Sequence, residues 1–166
     1  MRRQHQLAGW REWIALPELG IDFIKAKLDT GARTSALHAV RLVNLERDGA
    51  EWVRFTIHPR QRSTKNSLRV ELPVLEWRKI TSSNGVRQKR PVIVTDISFF
   101  GQTWPIELTL TNRKNMGFRM LLGREALRQR LVVDSSRSYI GGKPGRPTPS
   151  RRARNKKRGS KPSKPI

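Results

Sequence analysis

Short runs in which apolar and polar residues alternate make up most of this chain. In Ile21–Leu28 the apolar residues alternate with Lys25 and Lys27, and similar spacing recurs in Leu68–Leu75 and Trp104–Thr111. A two-residue period is typical of a β-strand that buries one face, because successive side chains point to opposite sides of the strand. The pattern therefore predicts strands for most of the chain.

Turn residues separate these runs. Asp48-Gly49 and Asn84-Gly85 indicate hairpins, and the second predicts a long hairpin over Arg78–Pro91, since Asn-Gly favours a two-residue turn. Only Arg124–Arg130 is predicted to be helical. Many short strands with one late helix predict an all-β barrel or sandwich. The predicted strands are Gly9–Leu16, Ile21–Leu28, Ala39–Leu45, Trp52–Ile57, Leu68–Leu75, Trp77–Ile80, Val86–Thr95, Trp104–Thr111, Met120–Gly123 and Leu131–Asp134.

The strand Ile21–Leu28 leads into Asp29-Thr30-Gly31-Ala32, which places an acidic residue in a tight turn among basic neighbours. A strand followed by Asp-Thr-Gly has the form of a catalytic aspartate loop. The strand holds the acid, the threonine hydroxyl can form hydrogen bonds, and the glycine lets backbone amides approach the carboxylate. Asp and Gly are also common in turns that only end a strand. The tetrapeptide alone leaves both interpretations open.

The chain is strongly basic: 35 Lys and Arg against 13 Asp and Glu give a formal charge of +22 over 166 residues. Residues 140–166 contain ten Lys and Arg, five prolines and no acid. Such a composition cannot build a core, so this segment is predicted to be a disordered tail. A flexible N-terminus is predicted over residues 1–8, which leaves a domain over 9–139. The charge predicts attraction to nucleic acid, anionic lipid or acidic peptide.

Composition also disfavours several kinds of chemistry. The chain has no cysteine, which excludes disulfides, thiolate metal sites and a cysteine nucleophile. Its histidines, His5, His38 and His58, form no metal-binding array, and no phosphate-binding Gly-x-x-x-x-Gly-Lys loop is present, so neither a metal nor a cofactor is predicted. No signal peptide or membrane-spanning run is apparent. We therefore expect a cytoplasmic protein without membrane contact.

Three ordered features resemble the retropepsin-like aspartic peptidases: the Asp29 motif, the hairpin about fifty residues later, and Leu121-Leu122-Gly123 followed by a helix. The runs IKAKLDTGARTSALH (24–38) and MLLGREAL (120–127) look like one bacterial family that carries the name ATP-dependent zinc protease. Some of its members are associated with the ligase that adds glutamates to a ribosomal protein. The resemblance covers about residues 9–139 and implies a closed β-barrel with one short C-terminal helix. Arg33, where viral retropepsins usually carry an acid, and a hairpin tip with only Gly85 depart from the viral pattern.

This resemblance implies that Asp29, Thr30 and Gly31 are catalytic. Aspartic peptidases use two carboxylates about 3 Å apart that share one proton. Because the chain has one Asp-Thr-Gly, the predicted active form is a homodimer with one Asp29 from each subunit at the two-fold axis.

Basic side chains around the motif predict an acidic peptide substrate, although each could instead be a solvated strand residue. The association of the resembling family with a glutamate ligase implies that this peptide is glutamate-rich. The candidates for substrate binding are Lys27, Ala32, Arg33, His38, Arg78 and Arg87, and Lys25, Lys79, Lys89 and Arg90 belong to the same basic set.

A binding protein without catalysis is the competing hypothesis. The net charge and the 140–166 tail are typical of proteins that contact RNA or the ribosome. The five tryptophans, however, all lie in predicted strands, where core packing is their commoner role. Since a basic tail can bind RNA whatever the domain does, the two hypotheses are compatible.

Overall fold

The structure is a computed structural model that describes residues 4–60, 63–82, 84–113 and 116–143. Within these residues it confirms an all-β chain with one short, late α-helix. The helix is one turn long and ends at Leu127, where the prediction extended to Arg130. The elements are β1 Gln6–Gly9, β2 Arg11–Leu16, β3 Ile21–Leu28, β4 Ser35–Arg47, β5 Ala50–Ile57, β6 Leu68–Pro73, β7 Glu76–Thr81, β8 Arg87–Phe99, β9 Gln102–Thr111, β10 Met120–Leu122, α1 Arg124–Leu127 and β11 Leu131–Asp134.

Six strands form a ring. The pairings run β10–β3–β2–β8–β9–β4, and β4 pairs again with β10. Strands β5 and β6 extend the sheet from β4, and β7 pairs with β8. Pro73 ends β6 at the sheet edge, as its missing backbone N–H predicts. The ring brings the ends of β3 and β10 side by side, because these strands are parallel and Leu28 is in register with Leu122.

The hairpin turn predicted at Asp48-Gly49 is confirmed by its backbone angles, and a second hairpin turn, at Phe100-Gly101, has similar angles. Asp48 and Gly49 join β4 to β5 with φ of 51° and 78°, and Phe100 and Gly101 join β8 to β9 with 50° and 70°. Positive φ at both central residues matches the right-handed twist of the paired strands. These turns align long strands whose apolar faces meet inside the ring. The fully buried core residues include Ile14, Leu16, Ile24, Leu37, Phe55, Ile93, Ile97, Leu108, Leu110, Met120 and Leu122.

Strand β4 begins earlier than its sequence predicts. The prediction was Ala39–Leu45, since residues 33–36 are polar or small, whereas the strand starts at Ser35. Its first residues lie between two partners, β9 in parallel and β10 in antiparallel pairing. Ser35 is buried, and its carbonyl accepts a hydrogen bond from Thr109 Oγ1 at 3.1 Å. Tertiary pairing, rather than local pattern, sets this boundary.

The start of the domain also differs from the prediction, which gave residues 1–8 to a flexible N-terminus. Residues 6–9 form β1, which pairs in parallel with β11. The buried Glu12 carboxylate accepts hydrogen bonds from Gly9 N and Ile140 N, each at 2.8 Å. This carboxylate joins both ends of the domain, a long-range contact that no local pattern reveals.

Most of the predicted basic tail, residues 144–166, lies outside the described residues, so its disorder stays a prediction. Across the part of the chain that the structure describes, no helix has the length and apolar character needed to cross a membrane.

Candidate active site

Asp29 stands in a turn that its own carboxylate stabilises. Asp29 Oδ1 accepts hydrogen bonds from Gly31 N at 2.9 Å and Ala32 N at 3.2 Å. The Asp29 backbone N–H donates to Leu122 O on β10 at 2.8 Å. These bonds fix the direction of the carboxylate and leave Oδ2 free of hydrogen bonds within the described residues. The carboxyl group is partly buried, whereas Thr30 and Gly31 are exposed beside it.

The start of α1 clamps the same turn from the other side. Arg124 Nη1 donates to Gly31 O at 3.0 Å, and Arg124 N donates to Ala32 O at 2.7 Å. Gly123 allows this contact, because a Cβ there would lie 2.8 Å from Arg33 O. The two motifs that resemble the retropepsins therefore meet in space and hold one loop.

Two clefts border the β7–β8 hairpin. The first, the β7-side cleft, has a volume of about 750 Å³ and lies between β7 and residues 33–35. Its charged lining residues are Arg33, Arg78 and Lys79 with Glu76, Glu107 and Glu125, so the two signs balance. Arg78 donates to Glu107 at 2.8 Å and to Glu76 at 2.7 Å. Both bonds raise the pKa of Arg78, and the bond to Glu107 has the larger effect.

The second, the β8-side cleft, has a volume of about 650 Å³ and lies between β8 and residues 39–44. Its charged lining residues are Arg41, Lys89 and Arg90, and its lining includes no Asp or Glu. Burial lowers the pKa of Arg90, whose guanidinium donates to Gln88 Oε1 at 3.1 and 3.2 Å. The clefts are thus similar in size, but the charged lining residues balance in the β7-side cleft and are all cationic in the β8-side cleft.

Arg113 connects the β8 side to the aspartate and was not singled out by the sequence. It is buried, and its Nε donates to Phe118 O at 3.2 Å. Burial lowers its pKa first and the positive Arg90 lowers it further, whereas the Asp29 carboxylate raises it. Asp29 and Arg90 therefore act on one buried guanidinium. Nothing in the sequence distinguishes Arg113 from the other basic residues of so basic a chain.

His38 does not serve the role predicted for it. The ring is 2% exposed, and its Nδ1 accepts a hydrogen bond from Arg113 N at 2.8 Å. Burial, followed by the positive charge of Arg119, lowers its pKa from 6.5 to about 4. A buried, internally bonded ring cannot contact a bound peptide, so we remove His38 from the candidates for substrate binding.

The structure places the other substrate-binding candidates in different surroundings. Arg33 and Arg78 line the β7-side cleft, whereas Lys27 and Arg87 are exposed and line neither cleft. Ala32 contributes backbone groups to the Asp29 turn. Among the residues described, no three His, Asp or Glu side chains form a group that could hold a metal ion.

The ring of strands with its one short helix is a retropepsin-like fold, and it brings the Asp29 turn and the clamp from α1 together. The chain belongs to the RimB-like family, described as retropepsin-like aspartic endopeptidase RimB, and residues 7–144 match the family. This confirms the retropepsin-like part of the resemblance.

Relatives that are not named as peptidases are similar to this chain in sequence. The chain is 50% identical over 139 residues to a probable alpha-L-glutamate ligase of Shewanella pealeana, and 47% identical over 129 residues to one of Desulfotalea psychrophila. These matches cover 84% and 78% of this chain but 30% and 28% of the relatives, so the chain spans less than a third of their length.

A solved structure has a similar fold. A crystal structure of a Legionella pneumophila protein of unknown function matches with a TM-score of 0.69 and 27% identity, over 83% of this chain and 99% of that one.

Proposed function

We propose that this protein is an aspartic peptidase whose active site contains Asp29 from each of two subunits. The Asp29 turn carries the proposal. Its carboxylate is oriented by Gly31 N and Ala32 N, and its backbone is clamped by Arg124. Catalytic groups need to be held in a fixed geometry, and a turn that only ended a strand would not require this second clamp.

The chemistry requires both carboxylates. One, ionised, takes a proton from water, while the other, protonated, donates to the carbonyl oxygen of the scissile peptide. Two carboxylates about 3 Å apart cannot both carry a charge, which gives them these complementary roles. A single chain supplies one such group from its Asp-Thr-Gly, so the proposed site forms across a two-fold axis.

The exposed surface at the turn supports this pairing. Thr30 and Gly31 are exposed in the single chain, and the Thr30 hydroxyl makes no hydrogen bond to any described residue. In the proposed dimer this hydroxyl bonds to the partner's loop and braces the two turns against each other. The partly buried carboxyl group becomes enclosed between subunits.

The proposed substrate is a glutamate-rich peptide, cleaved without a metal. Two observations support the substrate class: the net charge of +22, and relatives named probable alpha-L-glutamate ligase, whose product would carry glutamate. The basic residues of the hairpin are suited to bind carboxylates through charge-assisted hydrogen bonds. The same proposal assigns no role to zinc.

The test compares wild-type protein with Asp29→Asn on glutamate-tailed peptides, with and without a chelator. The asparagine Oδ1 can still accept from Gly31 N and Ala32 N, so the turn keeps its shape while the acid is lost. We expect cleavage by wild type with or without chelator, and a loss of at least about a thousandfold in D29N. Cleavage that survives D29N but stops with the chelator would replace the aspartic mechanism by a metal-dependent one.

A further inference from the structure

We propose that the β8-side cleft is the subsite that holds an acidic side chain of the substrate, with Arg41 and Lys89 at its surface and Arg90 within it. This inference rests on the proposed peptidase function and specifies which of the basic residues select the substrate. It separates them from Arg33 and Arg78, which the sequence places in the same basic set.

The two clefts differ in how their arginines are compensated. In the β7-side cleft Arg78 already bonds to two carboxylates, so few of its donors remain for a ligand. In the β8-side cleft the guanidinium of Arg90 bonds, among the described side chains, to the neutral amide of Gln88 alone. No ion pair of Arg41, Lys89 or Arg90 occurs within the described residues. Three cations with no Asp or Glu among the described lining residues favour an anionic ligand over a neutral one.

Pairing across the hairpin places two arginines side by side. Arg90 is directly opposite Arg78, so their side chains are on one face of the hairpin. Like charges directly opposite each other repel, and the two glutamates that neutralise Arg78 leave the charge of Arg90 uncompensated. A bound carboxylate would supply the missing charge to the partly buried arginine, and the planar guanidinium can bind it through two parallel bonds.

The backbone at Arg41 is irregular. The register of β4 against β5 shifts between Val40 and Val43, which marks a β-bulge. Arg41 lies in this bulge with a φ of 54°, a left-handed conformation that is uncommon for residues other than glycine. Bulges next to functional sites redirect side chains. Here the redirected residue is one of the three cations of the cleft.

The cleft adjoins Arg113, the buried residue between it and the aspartate. Its lining residue Asn112 directly precedes Arg113 in the chain, and the pKa of Arg113, lowered chiefly by burial, is lowered further by Arg90 and raised by Asp29. A volume of about 650 Å³ suits one or a few side chains of a peptide. A subsite of this size beside an acid that cleaves peptides favours an acidic peptide over RNA as its occupant.

The test measures binding and cleavage separately. Arg41→Gln and Lys89→Gln change exposed residues, so neither disturbs the core. Lys79→Gln is the matched control, because Lys79 is exposed and directly opposite Lys89 in the hairpin but lines the other cleft. Binding of a labelled tetraglutamate peptide and of its tetraglutamine analogue is measured by fluorescence anisotropy in D29N protein, and kcat/KM is measured in proteins that retain Asp29.

We expect the R41Q/K89Q pair to weaken glutamate-peptide binding about tenfold and to leave the glutamine peptide unchanged. K79Q should change the affinity for neither peptide by more than about twofold. Equal weakening by K79Q, or equal effects on both peptides, would overturn the subsite. If the predicted binding pattern is seen but wild type cleaves no peptide, the subsite stands and the peptidase proposal fails. If the pair weakens oligouridylate binding but not glutamate-peptide binding, the cleft is an RNA site and the inference is wrong.

Discussion

The Asp29 loop is fixed by hydrogen bonds from two sides, whereas the β7–β8 hairpin places like charges opposite each other. In the hairpin Arg78 is directly opposite Arg90, and Lys79 is directly opposite Lys89. Strand β7 pairs only with β8 among the described strands. The loop is therefore stabilised by the chain itself, while the hairpin lacks part of the counter-charge that it needs.

This difference separates two tasks that a peptidase must combine. The acid has to be held rigidly, because small displacements of a catalytic group are costly. The proposed substrate-binding element benefits from a charge that only the ligand completes, since the ligand then stabilises the state that holds it. Gly123→Ala disturbs the rigid region, and a pH change at His38 disturbs the boundary between the two regions.

Among changes that keep Asp29, the largest expected effect comes from Gly123→Ala. The new methyl group would meet three backbone atoms of residues 32–34 at 2.8–2.9 Å, and backbone cannot move aside as a flexible side chain can. We expect the free energy of unfolding to fall by about 2–3 kcal/mol and kcat/KM to fall about a hundredfold. Chemical denaturation and peptide cleavage measure the two effects.

Gly117→Ala is the matched control, because a Cβ at Gly117 would have no atom within 4 Å. It should leave the free energy of unfolding and kcat/KM nearly unchanged. If G123A were as active as G117A, the clamp from α1 would not be needed to hold the Asp29 turn.

An effect on stability alone is expected from pH at the boundary between loop and hairpin, where His38 accepts from Arg113 N. The pKa of His38 is lowered from 6.5 to about 4 in the folded protein, chiefly by burial. Between these values the unfolded chain binds a proton that the folded chain excludes. The contribution of His38 to stability is therefore complete above pH 6.5 and is lost as pH falls toward 4, by at most roughly 3 kcal/mol.

His38→Asn isolates this contribution, because the asparagine Oδ1 can accept from Arg113 N but does not titrate. Unfolding free energies measured from pH 7 to pH 4 should fall less steeply in H38N than in wild type. Equal slopes would show that His38 does not govern the acid sensitivity. His58, whose pKa is also lowered by burial and by Arg119, is present in both proteins, so the difference between them reports His38 together with its repulsion from His58.

The sequence predicted the features that depend on local pattern. Asp29, the Asn84-Gly85 hairpin and the Leu121–Leu127 motif all follow from residues close in the chain, and the strand alternation predicts an all-β fold. The early start of β4 could not be predicted, since it depends on pairing with β9 and β10.

The functional charges were less predictable than the fold. Lys79 and Lys89 look equivalent in the sequence, yet they line different clefts. Arg78 differs from Arg90 because Glu107, on β9, reaches only the first of them. Whether a basic residue is compensated depends on partners distant in sequence, and alternation alone cannot identify those partners.

The shared Asp29 site is the central claim, and subunit mixing tests it most directly. Equal amounts of wild-type and D29N protein are allowed to exchange subunits, and cleavage is compared with the same wild-type protein diluted in buffer at a concentration where it is dimeric. If the active site needs one Asp29 from each subunit, only about one quarter of the dimers are active, and activity falls to about half that of the buffer control. Activity equal to the buffer control would mean that each chain works with its own aspartate, and would contradict the account.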